Sequence, residues 1–381
     1  MKRIEEELDE IREQGLWRKL TPQSHMGAAP AAGSLSFASN DYLGLCQHPA
    51  ITAAFQQGLE KWGHGSAASR LICGTSLAHT ELEKRLAELK GAARALTFSS
   101  GYATAMGTIP ALVGKDDVVI LDKLSHACLI DAAKLSQATL RVFPHNHLEK
   151  LENILRQTRA RHGSKPRILI ATESVFSMDG DLAPLREIIL LKEQYDAFLL
   201  LDEAHGFGIM GPRGAGLAEQ LGLQGRIDVQ MGTLSKAAGL AGGFVAASSA
   251  IIDLLINRAR SFIFSTAPPP ALAHAAMQSL EIIASDEGRF LRQQLSERIQ
   301  LFTENLMPTP HFSPIVPLIL GNNDAAIAAS QFLADAGFTV PAIRYPTVPR
   351  HLARLRISLS AAHSLEATMS LRETCQKWAT P

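Results

Sequence analysis

Cysteine is scarce in this chain of 381 residues: Cys46, Cys73, Cys128 and Cys375 lie far apart and make no C-x-x-C pair. That spacing excludes a disulfide framework and a structural zinc site, and it fits a reducing compartment. Net charge is absent too, because 37 Lys and Arg balance 37 Asp and Glu. Without a global field nothing draws the protein to nucleic acid or to an anionic membrane, so any anionic ligand must be held by a local site. No apolar run approaches the length of a membrane span, and the opening residues MKRIEEELDE are too charged for a signal peptide. A soluble, cytoplasmic protein is expected, with no nucleic acid and no membrane among its partners. Charged residues make up only 19%, too few for a disordered chain, and neither internal repeats nor low-complexity tracts occur.

Apolar residues, at 46%, suffice for a sizeable core, and the length exceeds that of one typical domain. Ile4, Leu8, Ile11 and Leu16 recur at roughly helical spacing and predict an N-terminal helix, followed by an Ala/Gly/Pro-rich linker to Gly33. From about 92 to 247, β-like runs at 95–98, 118–121, 140–143, 168–172, 198–201, 229–232 and 243–246 alternate with helical segments. This rhythm of βαβ units predicts a mostly parallel sheet covered on both faces. Beyond about 270, helical segments (270–285, 288–306, 323–336) mix with short strands near 315–320, 338–343 and 354–359. The expected division is an N-terminal helix and linker (1–33), a large α/β domain (34–268) and a smaller C-terminal α+β domain (269–381).

In such sheets ligands bind beyond the carboxyl ends of the strands, where Glu173, Asp202 and Thr233 all fall. Lys236 lies in the run Gly232-Thr-Leu-Ser-Lys-Ala-Ala-Gly-Leu-Ala-Gly-Gly243, downstream of Asp202-Glu-Ala-His205 at the end of a strongly apolar stretch. A lysine can hold an aldehyde as an imine only if its amine is partly deprotonated near neutral pH, which needs desolvation or a neighbouring cation. Gly, Ala and Ser around it leave room for a flat ring. An aspartate at a strand end meets the other requirement, because a pyridine acts as an electron sink only while a carboxylate keeps its nitrogen protonated. The pair points to pyridoxal phosphate. Taken alone, a lysine in a glycine-rich turn is more often a solvated surface residue.

Other patterns are less selective. Gly206-Phe-Gly-Ile-Met-Gly211 matches the G-x-G-x-x-G dinucleotide fingerprint, but Gly211 runs straight into Pro-Arg-Gly, which favours a turn and delays the helix to about Ala215. Ser99-Ser-Gly-Tyr102 follows a strand and opens a helix, whose N–H groups can bind a phosphate or serve as an ordinary cap. His126 stands just past another strand end, where its ring can stack on a flat cofactor or simply cap a helix. His145-Asn-His147 lacks a third ligand nearby, so no metal is assigned. In Ala353-Arg-Leu-Arg-Ile-Ser358 the alternation puts Arg354 and Arg356 on one strand face. One of them can grip a carboxylate, although exposed edge charges give the same pattern.

Seven blocks, in order, carry a wider likeness: Ala38-Ser-Asn-Asp-Tyr-Leu-Gly-Leu45, Gly65-Ser-Ala-Ala-Ser-Arg70 with Gly74 and His79, Ser125-His-Ala127, Glu173-Ser-Val-Phe-Ser-Met-Asp-Gly-Asp181, Asp202-Glu-Ala-His205, Gly232-Thr-Leu-Ser-Lys236 and Ser265-Thr-Ala-Pro268. Over nearly its whole length the chain resembles the α-oxoamine synthase family, pyridoxal-phosphate enzymes of fold type I that condense an amino acid with an acyl thioester and release CO2. The resemblance implies that Lys236 bonds the cofactor aldehyde and then moves the Cα proton. It implies that Asp202 holds the ring N–H, that His126 stacks on the ring beside the substrate, and that His205 with Ser177 contacts the phenolic oxygen. Gly101, Tyr102 and Thr233 would hold the phosphate, with Thr266 reaching in from the second subunit of a homodimer, and Glu173 would be an acid behind them. Asn40 and Arg356 would bind the amino-acid carboxylate, while Arg18 and Thr347 match positions at the acyl site.

Within the family, Ala342-Ile-Arg-Tyr-Pro-Thr-Val-Pro349 followed by 353–358 looks most like the branch that joins L-alanine to a pimeloyl thioester, on CoA or on an acyl carrier protein, for biotin synthesis. Arg344, Arg350, His351 and Arg354 are candidates for a local basic patch that would receive such a donor. The chain departs from the pattern at Tyr345, where close relatives carry Pro; Tyr-Pro also occurs in the glycine C-acetyltransferase branch, which uses glycine and acetyl-CoA and is the alternative. It departs again between Thr21 and Phe37, a segment shorter and richer in Ala and Pro than usual. A catalytically silent homologue serving as a binding subunit is an alternative of another class, against which the intact Lys236, Asp202, His205 and His126 stand.

Overall fold

The computed structural model describes residues 2–20, 22, 27, 35–304, 306 and 311–379. Most of the shortened segment 21–37 lies outside the described residues.

After a two-residue β1 (Leu35–Ser36), runs rich in Val, Ile and Leu form β2 (Arg94–Phe98), β3 (Val118–Asp122), β4 (Thr139–Phe143), β5 (Ile168–Glu173), β6 (Phe198–Asp202), β7 (Val229–Thr233) and β8 (Gly243–Ala247). These seven make one sheet in the order β2-β8-β7-β6-β5-β3-β4. Neighbours from β7 to β4 are parallel, and β8 runs antiparallel to both β2 and β7. Every residue of β3, β5 and β7 is buried, as continuous apolar strands require when helices cover both faces.

The helices through this part of the chain are α1 (Lys2–Glu13), none of whose described residues is buried, and then α2 (Pro49–Trp62), α3 (Leu77–Lys90), α4 (Gly101–Leu112), α5 (Ala127–Leu135), α6 (Leu148–His162), α7 (Leu185–Gln194), α8 (Leu217–Gln220), α9 (Ser249–Arg258), α10 (Arg260–Ile263) and α11 (Pro270–Ala284). Strand periodicity sorts the core into two layers. Val119, Leu169, Leu200 and Val245 pack with Ile109, Leu129 and Ile252 of α4, α5 and α9. Ile120, Ile170 and Leu199 face the other way, into the layer of Leu82, Ile188 and Ile283 from α3, α7 and α11.

The chain continues through α12 (Asp286–Thr303), β9 (Ile315–Gly321), α13 (Asn323–Asp335), β10 (Phe338–Thr339), β11 (Ala342–Ile343), β12 (Ala353–Ser358) and α14 (Leu365–Ala379). A three-stranded sheet has the order β11-β12-β9. The single strand expected at 338–343 is two: β10 pairs with β1 in parallel, and β11 pairs with β12. Pro341 lies between them and cannot donate to a ladder. No helix among the described residues is long and apolar enough to cross a membrane.

Candidate active site

The parallel strands β3, β5, β6 and β7 close on polar residues, Asp122, Glu173, Asp202 and Thr233, at one edge of the sheet. Glu173 and Asp202 are register partners on adjacent strands, and both are almost fully buried. Asp202 Oδ1 accepts from the Ala204 N–H at 2.9 Å, and Glu173 Oε1 accepts from the His126 N–H at 2.5 Å. Burial and the neighbouring Asp202 push Glu173 up to about 8. Burial also raises Asp202, with Lys236 pulling it back.

Lys236 is delivered by the loop after β7. Thr233 Oγ1 donates to the Gly242 carbonyl at 2.8 Å and accepts from the Ser235 N–H at 3.2 Å, which folds 233–242 back on itself. Gly239 lies at φ +70°, and a Cβ there would sit 2.5 Å from the Leu45 carbonyl carbon. Only glycine lets this loop lie against the Leu45–Cys46 backbone. Burial lowers the Lys236 amine to about 8, against the upward pull of Asp202 and Glu173.

His205, three residues beyond Asp202, places Nε2 2.7 Å from the Lys236 amine. Burial, with Lys236, Arg356 and His126 close by, pushes its pKa well below the ordinary histidine value. On its other side Nδ1 lies 2.6 Å from the Tyr42 hydroxyl, which donates to Asn40 Oδ1 at 3.0 Å. Arg356 reaches the same Asn40 oxygen from Nη2 at 3.1 Å, and its Nε donates to the Ser177 carbonyl at 2.6 Å. Lys236, His205, Asn40, Ser177 and Arg356 thus come from four loops and β12 into one hydrogen-bonded cluster. Because β12 is the central strand of its sheet, neither arginine is an exposed edge charge. Arg354, 2% exposed, binds Asp179 at 2.7 Å and the Met178 carbonyl at 3.0 Å, which corrects its place in the surface basic patch.

At the other end of the cluster, Ser100 caps α4 by accepting from the Ala103 N–H at 3.0 Å, while the first N–H groups of any helix, here Gly101 and Tyr102, lack helical partners. A Cβ on Gly101 would lie 3.6 Å from the Thr233 Cβ, so the α4 N-terminus and the end of β7 converge on one place. The Tyr102 hydroxyl bonds Asp131. The His126 ring is exposed, and its Nδ1 faces Cys128 Sγ at 3.0 Å. Thr266 is exposed and bridges Ser69. Arg18 and Thr347 meet, Nη2 to Oγ1 at 3.3 Å.

The donor set fits pyridoxal phosphate. It offers an amine held near neutrality, a buried carboxylate beside it for a ring N–H, and a helix N-terminus converging with Thr233 for a phosphate. The G-x-G-x-x-G segment is a series of turns with no helix before α8 at Leu217, so the rejected fingerprint lacks the helix it needs. His145 is engaged by Asp122 at 3.0 Å and Asp181 at 2.7 Å. A cavity of about 610 Å³ lined by Leu112, Phe198, Ile227 and Leu254 lies at the opposite, amino end of the strands and contains none of these residues. Tyr42 and Ser235 were not singled out by sequence reasoning. Tyr42 lies inside a quoted motif, and its signal is an aromatic residue with a hydroxyl among polar neighbours beside Asn40.

The aminotransferase class I and II family model matches residues 32–374. The chain is 46% identical over 366 residues to an 8-amino-7-oxononanoate synthase from Geobacter sulfurreducens, covering 94% of this chain and 93% of that one. A high-resolution structure of SPT with PLP superposes with a TM-score of 0.88 at 29% identity, covering 99% of this chain and 96% of that one. The 8-amino-7-oxononanoate synthase of Francisella tularensis superposes with a TM-score of 0.77 at 29% identity, over 92% and 98% of the two chains. The chain therefore belongs to the aminotransferase class I and II family, in its 8-amino-7-oxononanoate synthase branch, as a pyridoxal-phosphate-dependent transferase of fold type I.

Proposed function

We propose that this protein condenses L-alanine with a pimeloyl thioester, releasing CO2, the carrier's free thiol and 8-amino-7-oxononanoate in biotin synthesis. The observation that carries the reading is the Asn40–Arg356 pair, joined through Tyr42 and His205 to Lys236. That link supports reading the pair as a carboxylate grip working with a lysine whose pKa suits proton transfer near neutrality.

Bound pyridoxal phosphate supplies the electron sink for charge left at the amino-acid Cα. Every other task falls to the chain. Asp202 keeps the ring nitrogen protonated, His126 covers one ring face beside the substrate, and His205 and Ser177 address the phenolic oxygen. Gly101, Tyr102 and Thr233 take the phosphate. Arg356 and Asn40 fix the alanine carboxylate, which orients the Cα–H bond toward Lys236. Lys236 Nζ, largely desolvated, takes that proton and returns it after CO2 has left. Glu173, lifted to about 8, stays protonated at neutral pH and so spares Asp202 a second adjacent negative charge. Arg18 and Thr347 mark the acyl entrance, with Arg344, Arg350 and His351 as the patch for the donor's anionic carrier, whether CoA or an acyl carrier protein.

Thr266 completes the phosphate site from a second subunit. Exposed Leu71, Ile72 and Phe264 flank the Ser69–Thr266 bridge and support a homodimer there. The division at residues 33 and 268 and a cytoplasmic location belong to the same proposal. The test is a titration of the cofactor's visible band with L-alanine and, separately, glycine, followed by pimeloyl-CoA. A response to alanine that pimeloyl-CoA enhances supports the reading. A response to glycine alone moves the assignment to the acetyl-transferring branch, which the Tyr345-Pro346 pair favours.

A further inference from the structure

Arg354 and Arg356 stand two residues apart on one face of β12, and both reach into the loop after β5, yet they spend their charges differently. Arg356 has three acceptors: the Ser177 carbonyl for Nε at 2.6 Å, Ser358 Oγ for Nη1 at 2.7 Å and Asn40 Oδ1 for Nη2 at 3.1 Å. All three are neutral, so the charge is left for a ligand, and each terminal nitrogen keeps one N–H for a carboxylate oxygen. Arg354 already has its carboxylate. Its Nη1 donates to Asp179 Oδ1 at 2.7 Å and to the Met178 carbonyl at 3.0 Å, and its Nε donates to the Leu352 carbonyl at 3.1 Å.

The two ends of the loop are fixed by other groups. His145 Nε2 and Asn146 Nδ2 hold Asp181 Oδ2 at 2.7 and 3.1 Å. Gly180, at φ +71°, lies so close to β9 that a Cβ there would come 2.0 Å from the Ile315 carbonyl oxygen. The Ser177 N–H bonds the Glu173 carboxylate, while its carbonyl, bonded to Nε at the base of the Arg356 guanidinium, sets the plane of that group. Between these ends, among the described residues, Arg354 alone hydrogen-bonds Met178 or Asp179.

We infer that Arg354 is a positioning residue for the substrate carboxylate: by pinning Met178 and Asp179 to β12, it holds the Ser177 carbonyl where that carbonyl aims Arg356. The inference rests on the proposed role of Asn40 and Arg356. A buried ion pair adds little net stability over apolar side chains of the same volume, so what this pair contributes is register between loop and strand. Loosening 178–179 lets the Ser177 carbonyl drift, and a guanidinium without its Nε partner no longer presents both free N–H groups together.

The experiment titrates the holoenzyme with two amines and reads the cofactor's visible band. L-alanine carries the carboxylate, and ethylamine is the same molecule without it. The wild-type protein should bind L-alanine more tightly than ethylamine. Arg354→Met, which has no donor for the loop, should weaken L-alanine roughly 5- to 10-fold, the worth of about one hydrogen bond, and leave ethylamine unchanged. Arg354→Met combined with Asp179→Asn should do the same while stranding no carboxylate near Arg356. A loss shared equally by both amines, no loss for either, or a loss confined to the single variant overturns the inference and leaves the carboxylate grip standing. Wild-type protein that binds the two amines equally removes the grip and the inference together. Should Arg354→Met fail to fold, the combined variant decides.

Discussion

Replacing Asp202 by asparagine perturbs the charge balance around Lys236 in a way that separates amine reactivity from catalysis. An ordinary lysine near 10.5 is neutral in only about one molecule in 3,000 at pH 7. At about 8, Lys236 is neutral in about one in eleven, a gain of roughly 300-fold in amine able to act as base or nucleophile. Burial is the main cause, and it is opposed by Asp202 and Glu173. Asp202→Asn should therefore lower the Lys236 pKa below 8, whereas Arg356→Met, which removes a cation that lowers it, should raise it. The assay is a 13C NMR titration of the apo chain after reductive methylation, with the Lys236 resonance identified by its loss in Lys236→Met. Asp202→Asn can raise the neutral fraction at pH 7 by no more than about 11-fold, yet turnover should collapse, because the ring nitrogen has lost its carboxylate. A wild-type titration near 10.5, or an upward shift in Asp202→Asn, would refute the reasoning.

Arg356→Lys should raise the KM for alanine roughly 10- to 150-fold in steady-state kinetics, the equivalent of one charged hydrogen bond worth about 1.5–3 kcal/mol. Glu203→Gln strands the Lys90 ammonium, 3.8 Å from Glu203 Oε1 with both side chains fully buried, and should cost about 3–5 kcal/mol in urea unfolding. His145 is lowered by burial but lifted more by the hydrogen bonds of Asp122 and Asp181, to about 10. A raised folded-state pKa stabilises in full below the unfolded value near 6.5 and fades as pH rises to about 10. His145→Gln should consequently lower the thermal midpoint at pH 6 and make much less difference above pH 10.

The strands were legible because continuous apolar runs between turn residues admit few other readings. Their ends were not, since Glu173 continues β5 two residues past its last hydrophobe and Asp202 continues β6 by one, and both look like loop in the sequence. Pairings made across long stretches of chain were hidden: nothing local indicates that 338–339 joins β1 while 342–343 joins β12. The same holds in the site. Lys236 and Asp202 declared themselves by residue type at strand ends. Arg354 and Arg356 share one alternation, and only the 177–179 loop packed against them decides that the first binds Asp179 and the second Asn40. Tyr42 gained its place from His205, which the fold brings to it from a distant part of the chain.

The most direct test of the account is product analysis after the holoenzyme is incubated with L-alanine and pimeloyl-CoA, alongside Lys236→Ala. The account predicts 8-amino-7-oxononanoate and equimolar CO2 from the wild-type protein, and none from the variant. Product only from glycine and acetyl-CoA, or no product from a protein that binds pyridoxal phosphate, would contradict it.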